Sequence, residues 1–162
     1  FESLVSSVIS QQLATAAAQT IKSRFALECG KITPKNVNKM ELDQLRAAGL
    51  SGAKAKTIQG LANAALEKRV DFKNLHEQPD EEVYQDLTQL WGIGPWTVDM
   101  FMMFQLGRLD IWPTGDLGVR RGWEKTHKLK AEITPEALYK KGEKFRPHRS
   151  IVAWYCWRAL DL

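Results

Sequence analysis

Residues 87–104 read LTQLWGIGPWTVDMFMMF. Two glycines, Gly92 and Gly94, stand between a run ending at Leu90 and an apolar run opened by Pro95, Trp96 and Thr97. Glycine admits backbone torsions that a side chain resists, and it clears the space above nearby amides. Proline suits the first turn of a helix, where its missing N–H is not needed. The spacing therefore predicts helix, tight turn, helix: a helix-hairpin-helix. Its turn amides, with the open N–H groups at the start of the helix holding Thr97, form a small positive concavity suited to one phosphate. Such a turn grips a nucleic-acid backbone without reading bases. A dinucleotide fingerprint needs a preceding strand and a third glycine, whereas Glu82 to Leu90 reads as helix and residue 97 is Thr. No Gly-x-x-x-x-Gly-Lys order is present either. The plain alternative is that the two glycines only tighten a corner between helices.

The rest of the chain agrees with a helical frame. In the opening segment, apolar residues at Leu4, Val5, Val8 and Ile9, then Leu13, Ala16, Ala17, Ile21 and Phe25, have the spacing of buried helical stripes. The polar run Ser10-Gln11-Gln12 reads as a junction between two helices, and Gly30 as a stop. One helix is predicted after Thr33-Pro34, and a long alanine-rich helix after Gly52, with Lys54 and Lys56 at its start. A helix prefers acids there unless an anion docks nearby. The order continues through an acid-opened helix before the hairpin and short helices after it. No β alternation appears, so the fold class is all-α, with eight to ten short helices in two lobes around a cleft. The whole chain, 1–162, reads as a single domain. Its expected lobes are 21–110, holding the hairpin at 87–104, and 1–20 plus 111–162.

Composition bounds the function. The chain has 162 residues, 44% of them hydrophobic, enough for one core or two lobes sharing one. Its 23 Lys and Arg against 19 Asp and Glu give a net charge of +4, which permits a polyanionic partner without requiring one. Cys29 and Cys156 are the only cysteines. That argues against a disulfide framework, zinc or an iron–sulfur cluster, and for an intracellular protein whose cysteines pack. No apolar run approaches the roughly 18 residues of a membrane span. The chain opens on Phe1, already within an apolar pattern, so a longer protein is expected around it.

Asp116 lies in WPTGDLGVRRG, after Pro113 and Gly115 and just before a predicted helix from Leu117. It could be only an N-cap, but capping is compatible with a second role if the carboxylate faces a cleft. Arg120 and Arg121 follow, at least one of them suited to phosphate. Six tryptophans are many for this length. Each alone reads as core, yet a pocket for an extruded base needs flat π surfaces, an acid and a backbone grip.

Five stretches in order, SVISQQLATAAAQTI ending at Ile21, GLSGAKAKTIQGLA at 49–62, the run at 87–104, DIWPTGDLGVRRG at 110–122 and FRPHRSIVAWYCW at 145–157, together resemble the helix-hairpin-helix (HhH-GPD) DNA glycosylases. The similarity is to the alkyladenine branch, which includes bacterial 3-methyladenine DNA glycosylase II and the yeast methyladenine glycosylases. The resemblance implies base flipping in duplex DNA and hydrolysis of the N-glycosidic bond of alkylated purines, namely 3-methyladenine, 7-methylguanine and ethenoadenine, leaving an abasic site in base excision repair. It puts the catalytic acid on Asp116, base-pocket aromatics on Trp96 and Trp157, and the wedge that fills the vacated stack on Gln12, where the bacterial relative has Leu. Gly92, Gly94, Thr97, Lys54, Lys56 and Arg120 would contact DNA phosphates. Carbonyls of Trp91 and Ile93 would hold a structural Na⁺ or K⁺, with no other cofactor and with water as nucleophile. Relatives that also cut the strand have a lysine just before the hairpin Thr; here that residue is Trp96, so no lyase step is expected. A monomer acting on chromosomal DNA follows, in the nucleus of a eukaryote or the cytoplasm of a bacterium. The alternative is a paralogue that binds lesions with weak or absent excision.

Overall fold

A computed structural model describes residues 1–161, with the backbone alone at Thr15. Among the described residues the chain forms ten α-helices and one 3₁₀ turn, with no strand. None of these helices is long and apolar enough to cross a membrane. Residues Phe1–Phe101 make one compact unit, and the chain from Met102 onward makes a second.

In the first unit, α1 (Glu2–Ser10) buries Leu4, Val5, Val8 and Ile9, one stripe of a helical wheel. Helix α2 (Thr15–Cys29) ends at Gly30, whose φ of 68° and ψ of −124° are torsions that glycine takes without strain. The α2 stripe differs from the predicted one. Ala18 and Phe25 are buried and Ile21 half-buried, while Leu13, Ala16 and Ala17 face solvent. Leu13 precedes the helix, and 18, 21 and 25 keep the helical spacing from where α2 begins. The single helix expected after Thr33 is two, α3 (Pro34–Asn38) and α4 (Leu42–Ala47). Thr33 Oγ1 caps the first by accepting the Asn36 N–H, and a reciprocal Glu41–Gln44 capping box starts the second. Two start signals so close together break the run.

Helix α5 (Gly52–Leu66) is capped by the Ser51 hydroxyl and buries Ala55, Ile58, Leu61 and Ala62. Helix α6 (Asp80–Thr88) has three acids in its first turn, the charge its N-terminal dipole favours, and buries Val83 and Leu87. Helix α7 (Pro95–Phe104) follows the glycine turn. The units divide differently from the lobes expected in the sequence. Residues of α1 pack with α2 and α5 in the first unit, because that is where their apolar stripe is covered.

The second unit holds α8 (Leu117–Thr126), α9 (Pro135–Gly142), the 3₁₀ turn Glu143–Phe145 and α10 (Arg149–Leu160). Its core is Trp112, Val119, Trp123, Ile133, Leu138, Ala153 and Cys156. Helices α8 and α10 approach so closely at Gly122 that a Cβ there would overlap the Cys156 carbonyl. Burial pushes the Cys156 thiol up to about 11, as suits a packing residue.

Candidate active site

The hairpin turn is built by short-range bonds. Ile93 N–H donates to the Leu90 carbonyl at 3.1 Å, and Thr97 and Val98 N–H both donate to the Gly94 carbonyl at 3.0 and 3.2 Å. Gly92 has φ 81°, and a Cβ there would overlap Thr57 Oγ1 of α5, so glycine is required twice over. Gly94 departs from expectation. Its φ is not positive, and a Cβ would meet nothing within 4 Å, so what it contributes is open space above the turn. Among the described residues, the amides of Gly92 and Gly94 make no backbone hydrogen bond, and the carbonyls of Trp91 and Ile93 accept none. Open donors at the start of a helix are the elements of an anion site. Lys56 places Nζ 4.4 Å from the ring centroid of Trp91, which is 53% exposed, so a cation sits beside the turn.

Thr97 and Lys54 depart from the phosphate contacts expected of them. Thr97 is 2% exposed, its N–H is used within the turn, and its Oγ1 accepts a 2.8 Å bond from Gln11 Nε2. Lys54 Nζ donates to the carbonyls of Ile9 and Gln11, both at 2.7 Å. Those carbonyls close the C-terminal end of α1, where the helix dipole favours a cation. This explains a lysine in the first turn of α5 without any anion, and burial lowers its pKa. Gln12 is exposed at the turn after α1 with φ 55°, the left-handed region.

In the second unit, Asp116 is the N-cap of α8. Its Oδ1 accepts the Val119 N–H at 2.7 Å and the Trp157 indole N–H at 2.8 Å. The half-buried Trp157 ring lies tilted against Phe104, centroids 5.8 Å apart. The acid and one expected pocket aromatic are thus directly joined. Trp96 stands partly exposed in the first turn of α7, in the first unit. Arg120 departs from its expected role: its Nη1 lies at 3.5 Å from the Ile133 carbonyl and its Nε is buried, whereas Arg121 is exposed. Among the described residues no three His, Cys, Asp or Glu side chains group as a metal site.

Sequence reasoning missed what holds the Asp116 loop. Arg149 donates through Nε and Nη2 to the two carboxylate oxygens of Asp110, at 2.7 and 3.0 Å, and through Nη2 to the Asp110 carbonyl. Ser150 Oγ donates to the Arg108 carbonyl and accepts the Ile111 N–H. Burial alone would raise the Asp110 pKa, but the Arg149 hydrogen bonds and the charges of Arg149 and Arg146 outweigh it and hold the carboxyl low. Gly118 was missed as well. A Cβ there would stand 2.7 Å from Trp157 Cδ1 and 3.1 Å from Asp116 Oδ1. Gly118→Ala gains helix propensity, so its melting temperature stays near the parent's, while a displaced Trp157 lowers the reaction rate about ten-fold. A rate and a melting temperature measured on the same preparation check this, and an unchanged rate removes the indole from the account.

The HhH-GPD superfamily base excision DNA repair protein family matches residues 5–148. DNA-3-methyladenine glycosylase 1 of Schizosaccharomyces pombe is 35% identical over 166 residues, spanning 100% of this chain and 73% of that protein. The alkylbase DNA glycosidase-like protein mag2 of the same organism is 30% identical over 98% of this chain and 76% of its own length. The solved structure of S. pombe 3-methyladenine DNA glycosylase (Mag1) in complex with abasic DNA superposes with a TM-score of 0.89 at 33% identity, covering 99% of this chain and 80% of that one. A helix-hairpin-helix with open amides, an aspartate capping the helix after a Pro/Gly loop, and these likenesses across almost the whole length lead to one conclusion: the chain belongs to the HhH-GPD superfamily of base excision DNA repair proteins.

Proposed function

We propose that the protein is a monofunctional DNA glycosylase that hydrolyses the N-glycosidic bond of alkylated purines in duplex DNA and leaves an abasic site. The observation that carries this reading is the Asp116–Trp157 pair at the N-terminus of α8, in a chain that also bears an open-amide hairpin. The names of the S. pombe relatives support 3-methyladenine as a substrate. In the same chemical class, 7-methylguanine and ethenoadenine are further candidates.

The hairpin amides, with Lys56 beside them, grip a phosphate of the duplex, and Gln12 enters the stack as the damaged nucleotide leaves it. Unpairing takes a few kcal/mol and is easiest for a damaged base. A purine methylated at N3 or N7 is a cation, which an indole face such as that of Trp157 attracts. The C1′–N bond then breaks with its electron pair passing to the base, which departs neutral. The Asp116 carboxylate stabilises the positive charge left on the sugar. Water adds at C1′, and its proton passes to the carboxylate or to solvent. The residue immediately before Thr97 is Trp96 and not lysine, so no Schiff base forms at C1′ and the strand stays intact. The unbonded carbonyls of Trp91 and Ile93 fit a monovalent cation such as Na⁺ or K⁺, which would fix the turn's shape. We place the protein, as a monomer, wherever its cell keeps chromosomal DNA.

The test is incubation with methylated duplex DNA and chromatographic detection of free 3-methyladenine, expected in the soluble fraction with the strand uncut. DNA binding without base release would instead establish the lesion-binding paralogue. A strand break accompanying release would contradict the absence of a lyase step.

A further inference from the structure

We infer that Gln11 and Lys54 are positioning residues that fasten the turn carrying Gln12 to the phosphate-gripping hairpin, so that filling the stack and anchoring the backbone act as one rigid piece. The inference rests on the glycosylase reading above. Gln12 adopts a left-handed φ of 55°, which costs a residue with a Cβ some free energy and is steadied here by its neighbours. Those surroundings are specific. On one side, Lys54 Nζ bonds the carbonyls of Ile9 and Gln11, the second of them one residue before Gln12. On the other, Gln11 Nε2 donates to Thr97 Oγ1 at 2.8 Å and to the Gly92 carbonyl at 3.3 Å, two positions of the hairpin. Helix α5 closes the triangle. Lys54 and Thr57 are three residues apart and share a face of that helix. Lys54 holds the end of α1, and Thr57 lies where a Cβ on Gly92 would fall. One helix face thus sets the positions of both the turn and the hairpin.

The arrangement separates two roles that a lysine near DNA can play. A phosphate contact contributes to binding of any duplex and to its salt dependence. A positioning residue contributes only where a nucleotide has left the stack. The experiment compares affinity for a synthetic duplex containing one tetrahydrofuran abasic-site analogue with affinity for the same duplex fully paired, by fluorescence anisotropy over a range of salt. The parent prefers the abasic duplex. Gln11→Met, which keeps the shape of the side chain and removes its donor, lowers that preference roughly ten-fold, as loss of a hydrogen-bonded tie implies. Lys54→Met does the same with an unchanged salt slope on paired DNA. Lys54→Arg, which can still reach both carbonyls, retains the preference. Combining Gln11→Met with Lys54→Met loses little beyond either alone, because both hold the same turn.

An undiminished preference in both methionine variants overturns the inference. So does an equal loss on the two duplexes with the salt slope reduced by about one, since that is the mark of a phosphate contact. A parent protein that shows no preference for the abasic duplex would fail the glycosylase reading itself. Preference in the parent with no effect of either variant would fail the coupling alone.

Discussion

Asp116→Asn cuts base release by at least about a hundred-fold while leaving the fold and duplex binding in place. The carboxylate has two jobs, and asparagine preserves one of them. Its carbonyl oxygen can still accept the Val119 N–H and the Trp157 indole N–H that Oδ1 now takes. Asn and Asp rank equally as N-caps. The negative charge that would face the developing sugar cation is gone, and removing one preorganised electrostatic stabiliser costs on the order of 10²- to 10³-fold in rate. Single-turnover release of 3-methyladenine should therefore fall by at least about a hundred-fold, with the melting temperature within a degree or two of the parent. Asp116→Ala is the less informative variant, because it also strips the cap, about 1 kcal/mol, and leaves the indole N–H without its acceptor. Release at the parent's rate from the Asn protein would reject Asp116 as the catalytic group, and an equal drop in duplex affinity would make it a binding residue instead.

What could be read in advance was local. The hairpin was legible because its information lies in a few adjacent torsions: Gly92 needs a positive φ and Pro95 opens a helix. Asp116 was legible as a cap because Pro113, Gly115 and Leu117 mark a loop and then a helix start. What lay beyond reach were side-chain partners distant in sequence. Lys54 looked like a phosphate ligand, since the carbonyls it satisfies belong to residues 9 and 11, 45 and 43 positions away. Gln11 reaches across 86 positions to Thr97, and its only signal in the sequence was its place beside Gln12. Charge alone could not tell Arg120, turned to the Ile133 carbonyl, from the exposed Arg121. A helical pattern shows which residues want burial, but long polar side chains choose their partners only once the helices have met.

Arg149→Met should lower stability by about 2–3 kcal/mol and flatten its acid dependence. The Arg149 side chain is 8% exposed and pairs through two nitrogens with Asp110, itself 25% exposed. Removing one partner of a buried ion pair leaves the other desolvated and costs about 3–5 kcal/mol. Arg146, 2.9 Å from Asp110, keeps part of the compensation, so the loss falls at or below the lower end of that range. The melting temperature then drops by roughly 5–10 °C. The sign with pH follows from the Asp110 carboxyl being held below its ordinary value. Between the depressed folded value and the unfolded one, the unfolded chain binds more protons, so stability rises with pH. The contribution is complete above the ordinary carboxylate range and disappears as pH falls through the folded value. In the parent, melting temperature declines on acidification through that window. In Arg149→Met the decline is shallower, with the remainder due to pairs such as Glu143–Arg146, whose carboxyl is also lowered by its arginine partner. Because the same arginine pins residue 110, six positions before Asp116 on one irregular segment, base release should fall even at temperatures where the variant is fully folded. A variant that melts lower yet releases base at the parent's rate would show that α8 alone, through its cap, holds the aspartate in place.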